Sequence, residues 1–168
     1  MDRRLYPANA RVAHESLRGK VDGVIFTSGT QKQVSVPVLD LNLSAPGLSG
    51  RRDRQRLLGD PVTVLEDQDG LSFVMCHDGY VGYVDTNGLA ENKPPTHVVA
   101  TMSTHAYAAE DFKSAVQLQL PFGAKVVVLD ERKKFFETSH GFVSKKHLRP
   151  IDQPFDDIAT IAQLQLDR

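Results

Sequence analysis

Short stretches in which apolar and polar residues alternate follow one another along most of the chain. The clearest of them are Val34/Val36/Val38, Val62/Val64 and Leu71/Phe73/Met75. An apolar residue at every second position is the pattern of a β-strand with one buried face. Residues typical of tight turns separate the stretches, at 45–47, 59–61, 67–70, 78–79 and 87–88. The pattern therefore predicts a mainly β protein made of short strands.

A weak internal repeat divides the chain into two similar parts. The segment GDPVTVLE at 59–66 recurs as GAKVVVLD at 123–130, and Gly-Tyr-Val at 82–84 recurs as Gly-Phe-Val at 141–143. A repeat of this kind indicates duplicated small units. Several short strands with polar turns in so few residues favour a small, partly open β-barrel for each unit over a sandwich.

The repeat also sets the expected domain boundaries. We predict a first barrel at 31–93 and a second at 96–150, with the Pro94-Pro95 pair as a stiff linker. Residues 1–30 form an N-terminal arm, which is either an amphipathic helix beginning after Asn9 or an extended segment. Residues 151–168 are expected to form a linker and a short C-terminal helix.

The repeated glycine step is interpreted first as a folding device. A glycine inside a strand usually marks a bulge or a close approach of another backbone. Because side chains alternate along a strand, Tyr80 and Gly82 share one face while Val81 and Tyr83 share the other. One of the two tyrosines is therefore expected to face outward.

Composition and charge exclude several classes of function. The chain has 168 residues, 40% of them apolar, which is enough for a core, and a net charge of -1 from 20 basic and 21 acidic side chains. No overall field steers it to nucleic acid or to an anionic membrane, and no apolar run is long enough to span a bilayer. No secretory signal is visible at the N-terminus, so the expected location is the cytoplasm.

Catalysis by this chain alone is not expected. Cys76 is its one cysteine, and as a neighbour of His77 in a strand it would point to the opposite face, so the two cannot form a nucleophile and base. The six histidines show no spacing typical of a metal site. We predict no metal and no cofactor, and inert packing for Cys76.

Two groups of side chains are candidates for ligand binding. Arg51 and Arg52 begin the segment RRDRQR, interpreted as a loop between strands, where guanidinium groups either clasp a carboxylate or phosphate or are simply solvated. Tyr80, Tyr83 and Tyr107 are placed near loop tips, where aromatic rings give peptide contact area at little entropic cost or merely cap a barrel edge.

The order of motifs along the chain gives a more specific indication. The segments RLYPANARVAHESLRG, VSVPVLDLNLSAPG, RDRQRLLGDPVTVLEDQDGLSFV, DGYVGYV, LPFGAKVVVL and HLRPID follow one another in residues 4–154. In this order they resemble the N-terminal region of NlpC/p60 family cell-wall cysteine peptidases, in which two bacterial SH3 (SH3b) modules precede the catalytic domain. The resemblance implies two tandem SH3-like barrels.

The same resemblance implies a function and a set of site residues. In such peptidases the first SH3b module forms a wall of the cleft, where a tyrosine and an acidic residue hold the free amino end of a peptidoglycan stem peptide. Tyr80 or Tyr83 with Asp78 match these residues.

Segments like the family's catalytic cysteine and histidine motifs are not in the sequence. We therefore expect a non-catalytic, substrate-binding SH3b pair that serves an NlpC/p60 catalytic domain in cis or in trans. The alternatives are an autonomous module that binds a peptide or glycan and regulates a partner, and a truncated remnant.

Overall fold

The chain separates into two compact units. A computed structural model describes residues 2–44 and 52–153. The first unit comprises Met1–Arg56 and Asp60–Asn92, and the second comprises Leu57–Gly59 and Lys93–Arg168. The predicted C-terminal helix falls mostly on 154–168, outside the described residues.

The first unit is built almost entirely of β-strands. They are, in chain order, β1 (Val12–His14), β2 (Ile25–Thr27), β3 (Thr30–Val34), β4 (Val38–Asn42), β5 (Arg52–Leu57), β6 (Pro61–Gln68), β7 (Leu71–Cys76), β8 (Val81–Asp85) and β9 (Leu89–Glu91). Seven of them form one sheet in the order β5-β4-β8-β7-β6-β3-β9, and β1 pairs with β2 in parallel. The mainly β prediction is confirmed, and no sheet in the described part of this unit closes into a barrel.

The prediction that Val34, Val36 and Val38 alternate along one strand is wrong. β3 ends at Val34 and β4 begins at Val38, and Pro37 lies between them without a backbone N–H to continue a ladder. Val34 is fully buried while Val38 is 41% exposed, so the two do not share a buried face.

β7 is buried on both faces. Val74 and Cys76 point into the main core with residues of β3, β4, β6 and β8, whereas Phe73 and Met75 point to the other side of the sheet. There Phe73 packs with Val12 of the N-terminal segment. The outer face of the sheet is thus covered by residues that precede the first long strand.

The N-terminal segment takes the extended alternative rather than the helical one. Asn9 accepts hydrogen bonds from the backbone N–H groups of Arg11 and Val12, which stabilises a turn before β1. Arg11 then donates two hydrogen bonds to Glu66, of 2.7 and 2.8 Å, and Asn9 donates a third of 2.9 Å. These contacts hold Val12 against β7.

Of the two roles predicted for the glycine step, a bulge or a close approach, the structure shows a close approach. A Cβ at Gly82 would lie 2.6 Å from the backbone oxygen of Asn42 and 2.9 Å from Cγ of Leu41. In the second unit a Cβ at Gly141 would lie 2.5 Å from the backbone oxygen of Tyr107. In each unit the glycine lets a neighbouring strand lie directly against its backbone.

The second unit has its own strands. They are β10 (His97–Val99), β11 (Ser103–Tyr107), β12 (Val116–Pro121), β13 (Lys125–Val126), β14 (Val128–Glu131), β15 (Phe135–Thr138), β16 (Gly141–Ser144) and β17 (Leu148–Pro150). One sheet has the order β12-β11-β16-β15-β14 and the other β13-β10-β17. Its core comprises Leu58, Val99, Ala106, Leu120, Ala124, Val126, Val143 and Leu148.

The two units share a pairing pattern. The order β12-β11-β16-β15-β14 repeats β5-β4-β8-β7-β6, and β13-β10-β17 repeats β6-β3-β9. The counterpart of β6 is two strands in the second unit, β13 and β14, separated at Val127. Short 3-10 helices at Thr86–Gly88 and Lys145–His147 precede the last strand of each unit.

Acidification is expected to destabilise the second unit through its histidines. Burial lowers the pKa of His140, and burial, His105 and Lys146 lower the pKa of His147. A histidine with a lowered folded-state pKa binds more protons when unfolded, so stability falls as the pH drops through the unfolded pKa. Melting between about pH 7.5 and about pH 5.5 should therefore show a Tm several degrees lower at the acidic end.

The variant His140→Gln should flatten that pH dependence. His77→Gln is the matched control, because His77 precedes the equivalent glycine step of the first unit and its side chain is exposed. Equal flattening in both variants would show that burial of His140 is not the cause.

Candidate functional site

Strand β8 and the turn before it direct the two candidate tyrosines to opposite sides. Tyr80 packs against the main core of the first unit. Tyr83 packs on the other face of the sheet, against the cluster formed by Val12, Leu65, Phe73 and Val81. Its ring centroid lies 5.1 Å from that of Phe73. The two side chains lie on opposite faces of the sheet, as expected, so they do not belong to one common site.

Tyr80 is surrounded by arginine side chains. The guanidinium carbon of Arg54, on β5, lies 3.4 Å from the centroid of the Tyr80 ring, and that of Arg4 lies 5.9 Å away. A guanidinium over a tyrosine face is attracted by the ring quadrupole. This arrangement holds the ring in place. Asp53 lies 3.6 Å from Arg4 and 3.4 Å from Arg54, so its carboxylate offsets the positive charge beside the ring.

Asp78 is tied to both Tyr80 and a buried arginine. Arg56 Nη2 donates to both oxygens of Asp78, each at 2.9 Å, and the Tyr80 amide donates to Asp78 Oδ1 at 3.3 Å. Partial burial opposes ionisation of Asp78, but these two donors lower its pKa below the ordinary value. The Asp78 side chain remains 35% exposed, whereas that of Arg56 is only 9% exposed.

Asp53 is a residue whose role the sequence pattern does not reveal. In the sequence it only interrupts a basic run, but in the structure its side chain is 13% exposed and lies between Arg4 and Arg54, at 3.6 and 3.4 Å. Its Oδ2 atom is buried and has no hydrogen-bond partner among residues 2–44 and 52–153, and the same is true of the Nε atoms of Arg54 and Arg56. The sequence feature that could have revealed this role is an acidic residue inside an otherwise basic segment.

The other predicted site residues lie apart from this cluster. Arg51 is outside the described residues. Arg52 begins β5 and pairs with Asp40 at 3.7 Å, so the predicted loop is wrong at this position. Tyr107 belongs to the second unit, where its ring contacts those of His105, Phe112 and Phe135.

Cys76 is packed as an apolar side chain. It is 3% exposed, and burial raises its pKa to about 11, so the thiolate is disfavoured at neutral pH. Within the described ranges, no three metal-ligating side chains come together and no helix is long and apolar enough to cross a membrane.

Residues 43–89, which include Asp78, Tyr80 and Tyr83, match the profile of the bacterial dipeptidyl-peptidase Sh3 domain. This segment of the chain is similar to a bacterial SH3 domain. The resemblance noted in the sequence is thereby confirmed, and the architecture of this SH3 segment is mainly β and SH3-like. A comparison with curated proteins finds no match.

A solved structure of similar fold comes from an NlpC/p60 family protein. An NlpC/p60 family protein from Bacillus cereus ATCC 10987 superposes with a TM-score of 0.64 at 15% identity, covering 80% of this chain and 63% of that one. NlpC2 and NlpC1 from Trichomonas vaginalis give TM-scores of 0.32 and 0.31 at 15% and 14% identity. These two matches cover 71% and 77% of this chain, and 47% and 48% of theirs.

The Bacillus cereus likeness establishes a shared fold for the SH3-bearing chain. This chain spans less than two thirds of each of the three solved chains, at 63%, 47% and 48%. The two Trichomonas scores are too low to support a conclusion.

Proposed function

We propose that the chain is the non-catalytic, substrate-binding part of an NlpC/p60-type peptidoglycan peptidase and binds the stem peptide of a muropeptide. The observation that carries the proposal is the SH3 match over 43–89, which contains Asp78 and Tyr80 in direct contact. The catalytic domain that it serves would be present in cis or supplied in trans.

The proposal includes two SH3-like modules in tandem. Its support is the common pairing order of the two units and the close-approach glycine at equivalent positions, Gly82 and Gly141. The first module carries the substrate site, and the second serves as a companion in targeting or in holding the first.

The amino end of the stem peptide is proposed to bind at Asp78 and Tyr80. An ammonium group is attracted by the exposed edge of the Asp78 carboxylate, whose ionised form is favoured by Arg56. The Tyr80 hydroxyl is proposed to accept a hydrogen bond from the same ammonium group. Tyr83 is on the other face of β8, so of the two tyrosines it is Tyr80 that fits this role.

The variant Tyr80→Phe tests this assignment. Losing one hydrogen bond to a charged group costs about 1.5–3 kcal/mol, so affinity should fall roughly tenfold or more. Isothermal titration calorimetry with the tripeptide alanyl-γ-D-glutamyl-lysine measures it. Acetylation of the alanine amino group should weaken binding to the wild type by a similar factor, because it removes the charge of the terminal ammonium and leaves that of the lysine side chain.

Two further variants make the result specific. Asp40→Asn removes an exposed carboxylate that pairs with Arg52 and should leave affinity unchanged. Tyr107→Phe makes the same chemical change in the second unit. A loss with Tyr107→Phe and none with Tyr80→Phe would move the site out of the first unit and overturn the proposal.

A further inference from the structure

The N-terminal segment and the outer face of β8 enclose a groove within the first unit. Its volume is about 490 Å³, and the residues that line it include Arg3, Arg4 and Tyr6 of the N-terminal segment together with Leu43, Phe73 and Tyr83. A space of this size accommodates a small ligand or a short peptide. It lies on the Tyr83 face of the strand, away from the core against which Tyr80 packs.

The floor of the groove is mainly apolar. Phe73 and Tyr83 pack with their ring centroids 5.1 Å apart, and Val81 lies beside them on the same face of the sheet. Leu43 at the edge is 45% exposed. Such a floor suits the aliphatic part of a ligand, because covering it removes apolar surface from water.

The polar groups around this floor are positively charged or neutral. No acidic residue lines the groove in the described part of the chain. Arg4 is already paired, with Asp2 at 2.8 Å and Asp53 at 3.6 Å. Arg3, in contrast, is exposed, and its side chain makes no hydrogen bond or ion pair with any residue of 2–44 or 52–153.

Two hydroxyl groups complete the rim. The side chains of Tyr6 and Tyr83 make no hydrogen bond to residues in the described ranges, so both hydroxyls are available to a ligand. An unpaired guanidinium with two free hydroxyls over an apolar floor is complementary to a carboxylate attached to an aliphatic chain.

We propose that this groove binds the carboxylate-bearing part of the stem peptide, with Arg3 as the carboxylate ligand and Tyr6 and Tyr83 as hydrogen-bond donors. The inference rests on the proposed function for the identity of the peptide, and it adds a second contact site to the one at Tyr80. It makes affinity depend on the negative charge of the ligand as well as on its free amino end.

The test uses the whole chain and three peptides in calorimetry. The peptides are alanyl-γ-D-glutamyl-lysine, its N-acetyl form, and a form with both carboxylates converted to carboxamides. Arg3→Ala should weaken binding of the free acid about tenfold to a hundredfold, and the wild type should lose affinity for the carboxamide to the same degree. Arg3→Ala should then bind the carboxamide no more weakly than the wild type does.

Arg18→Ala is the matched control. Arg18 is another exposed arginine of the N-terminal segment, it pairs with Glu15 at 3.3 Å, and it is not among the groove residues. This control should bind the free acid as the wild type does. Equal losses with Arg3→Ala and Arg18→Ala would show general electrostatic attraction and overturn the inference.

The remaining outcomes separate this inference from the proposed function. If N-acetylation and Tyr80→Phe weaken binding but amidation and Arg3→Ala do not, the groove assignment is wrong and the amino-end site stands. The reverse result removes the amino-end site and keeps the groove. If the wild type binds none of the peptides, both are wrong.

Discussion

Gly82→Ala is expected to destabilise the first unit by about 3 kcal/mol, at the upper end of the usual cost of overpacking a core. The added methyl carbon would lie 2.6 Å from the Asn42 oxygen and 2.9 Å from Leu41 Cγ, and Leu41 is fully buried. Neither neighbour can withdraw without separating β4 from β8. Urea denaturation followed by circular dichroism measures the change as a lower unfolding midpoint.

Gly70→Ala serves as the control for this substitution. Gly70 lies in the hairpin between β6 and β7 with φ +80, and no atom lies within 4 Å of the position that an added methyl carbon would take. Its cost is therefore backbone strain alone, about 1–2 kcal/mol. A Gly82→Ala variant no less stable than Gly70→Ala would contradict the close-approach role of the repeated glycine.

Asp78→Ala is expected to cost about 2–3 kcal/mol of stability. Removing one partner of a buried ion pair typically costs about 3–5 kcal/mol, and the smaller value reflects solvent screening at the partly exposed carboxylate. Arg56 would be left buried, with its charge uncompensated. Thermal or chemical unfolding of Asp78→Ala, Arg56→Met and the double variant gives the coupling energy between the two side chains.

The double variant should be more stable than Asp78→Ala alone, because it no longer contains a buried unpaired guanidinium. The pair should also show a defined pH dependence. Since Asp78 has a lowered folded-state pKa, its contribution is present above the ordinary carboxyl pKa and is lost as the pH falls through the folded value. Single variants whose effects simply add would show that the two residues do not interact.

The sequence predicts local features of this fold well, because they depend on neighbours along the chain. The hairpin strands β6 and β7, the turn glycines and the burial of Cys76 follow from alternation and composition. The same reasoning narrows the role of Gly82 to a bulge or a close backbone approach, and the contact with Asn42 and Leu41 decides for the second.

Features that depend on distant partners could not be predicted. The sequence favours a solvated loop for Arg54 and Arg56, because their partners lie more than twenty residues later in the chain. Asp78 pairs with Arg56, and the Tyr80 ring lies against Arg54. The extended N-terminal segment likewise depends on Arg11 meeting Glu66. In both cases tertiary contacts, and not local propensity, determine the conformation.

The positions of the tyrosines allow ligand binding to be followed by the intrinsic fluorescence of the chain. It has four tyrosines and no tryptophan, so tyrosine alone supplies its intrinsic emission. Tyr6 and Tyr83 line the groove, Tyr80 lies beneath Arg54, and Tyr107 belongs to the second unit. Quenching by an added peptide would thus register occupancy of the first unit without any label, and Tyr107→Phe would leave an emission signal that comes from that unit alone.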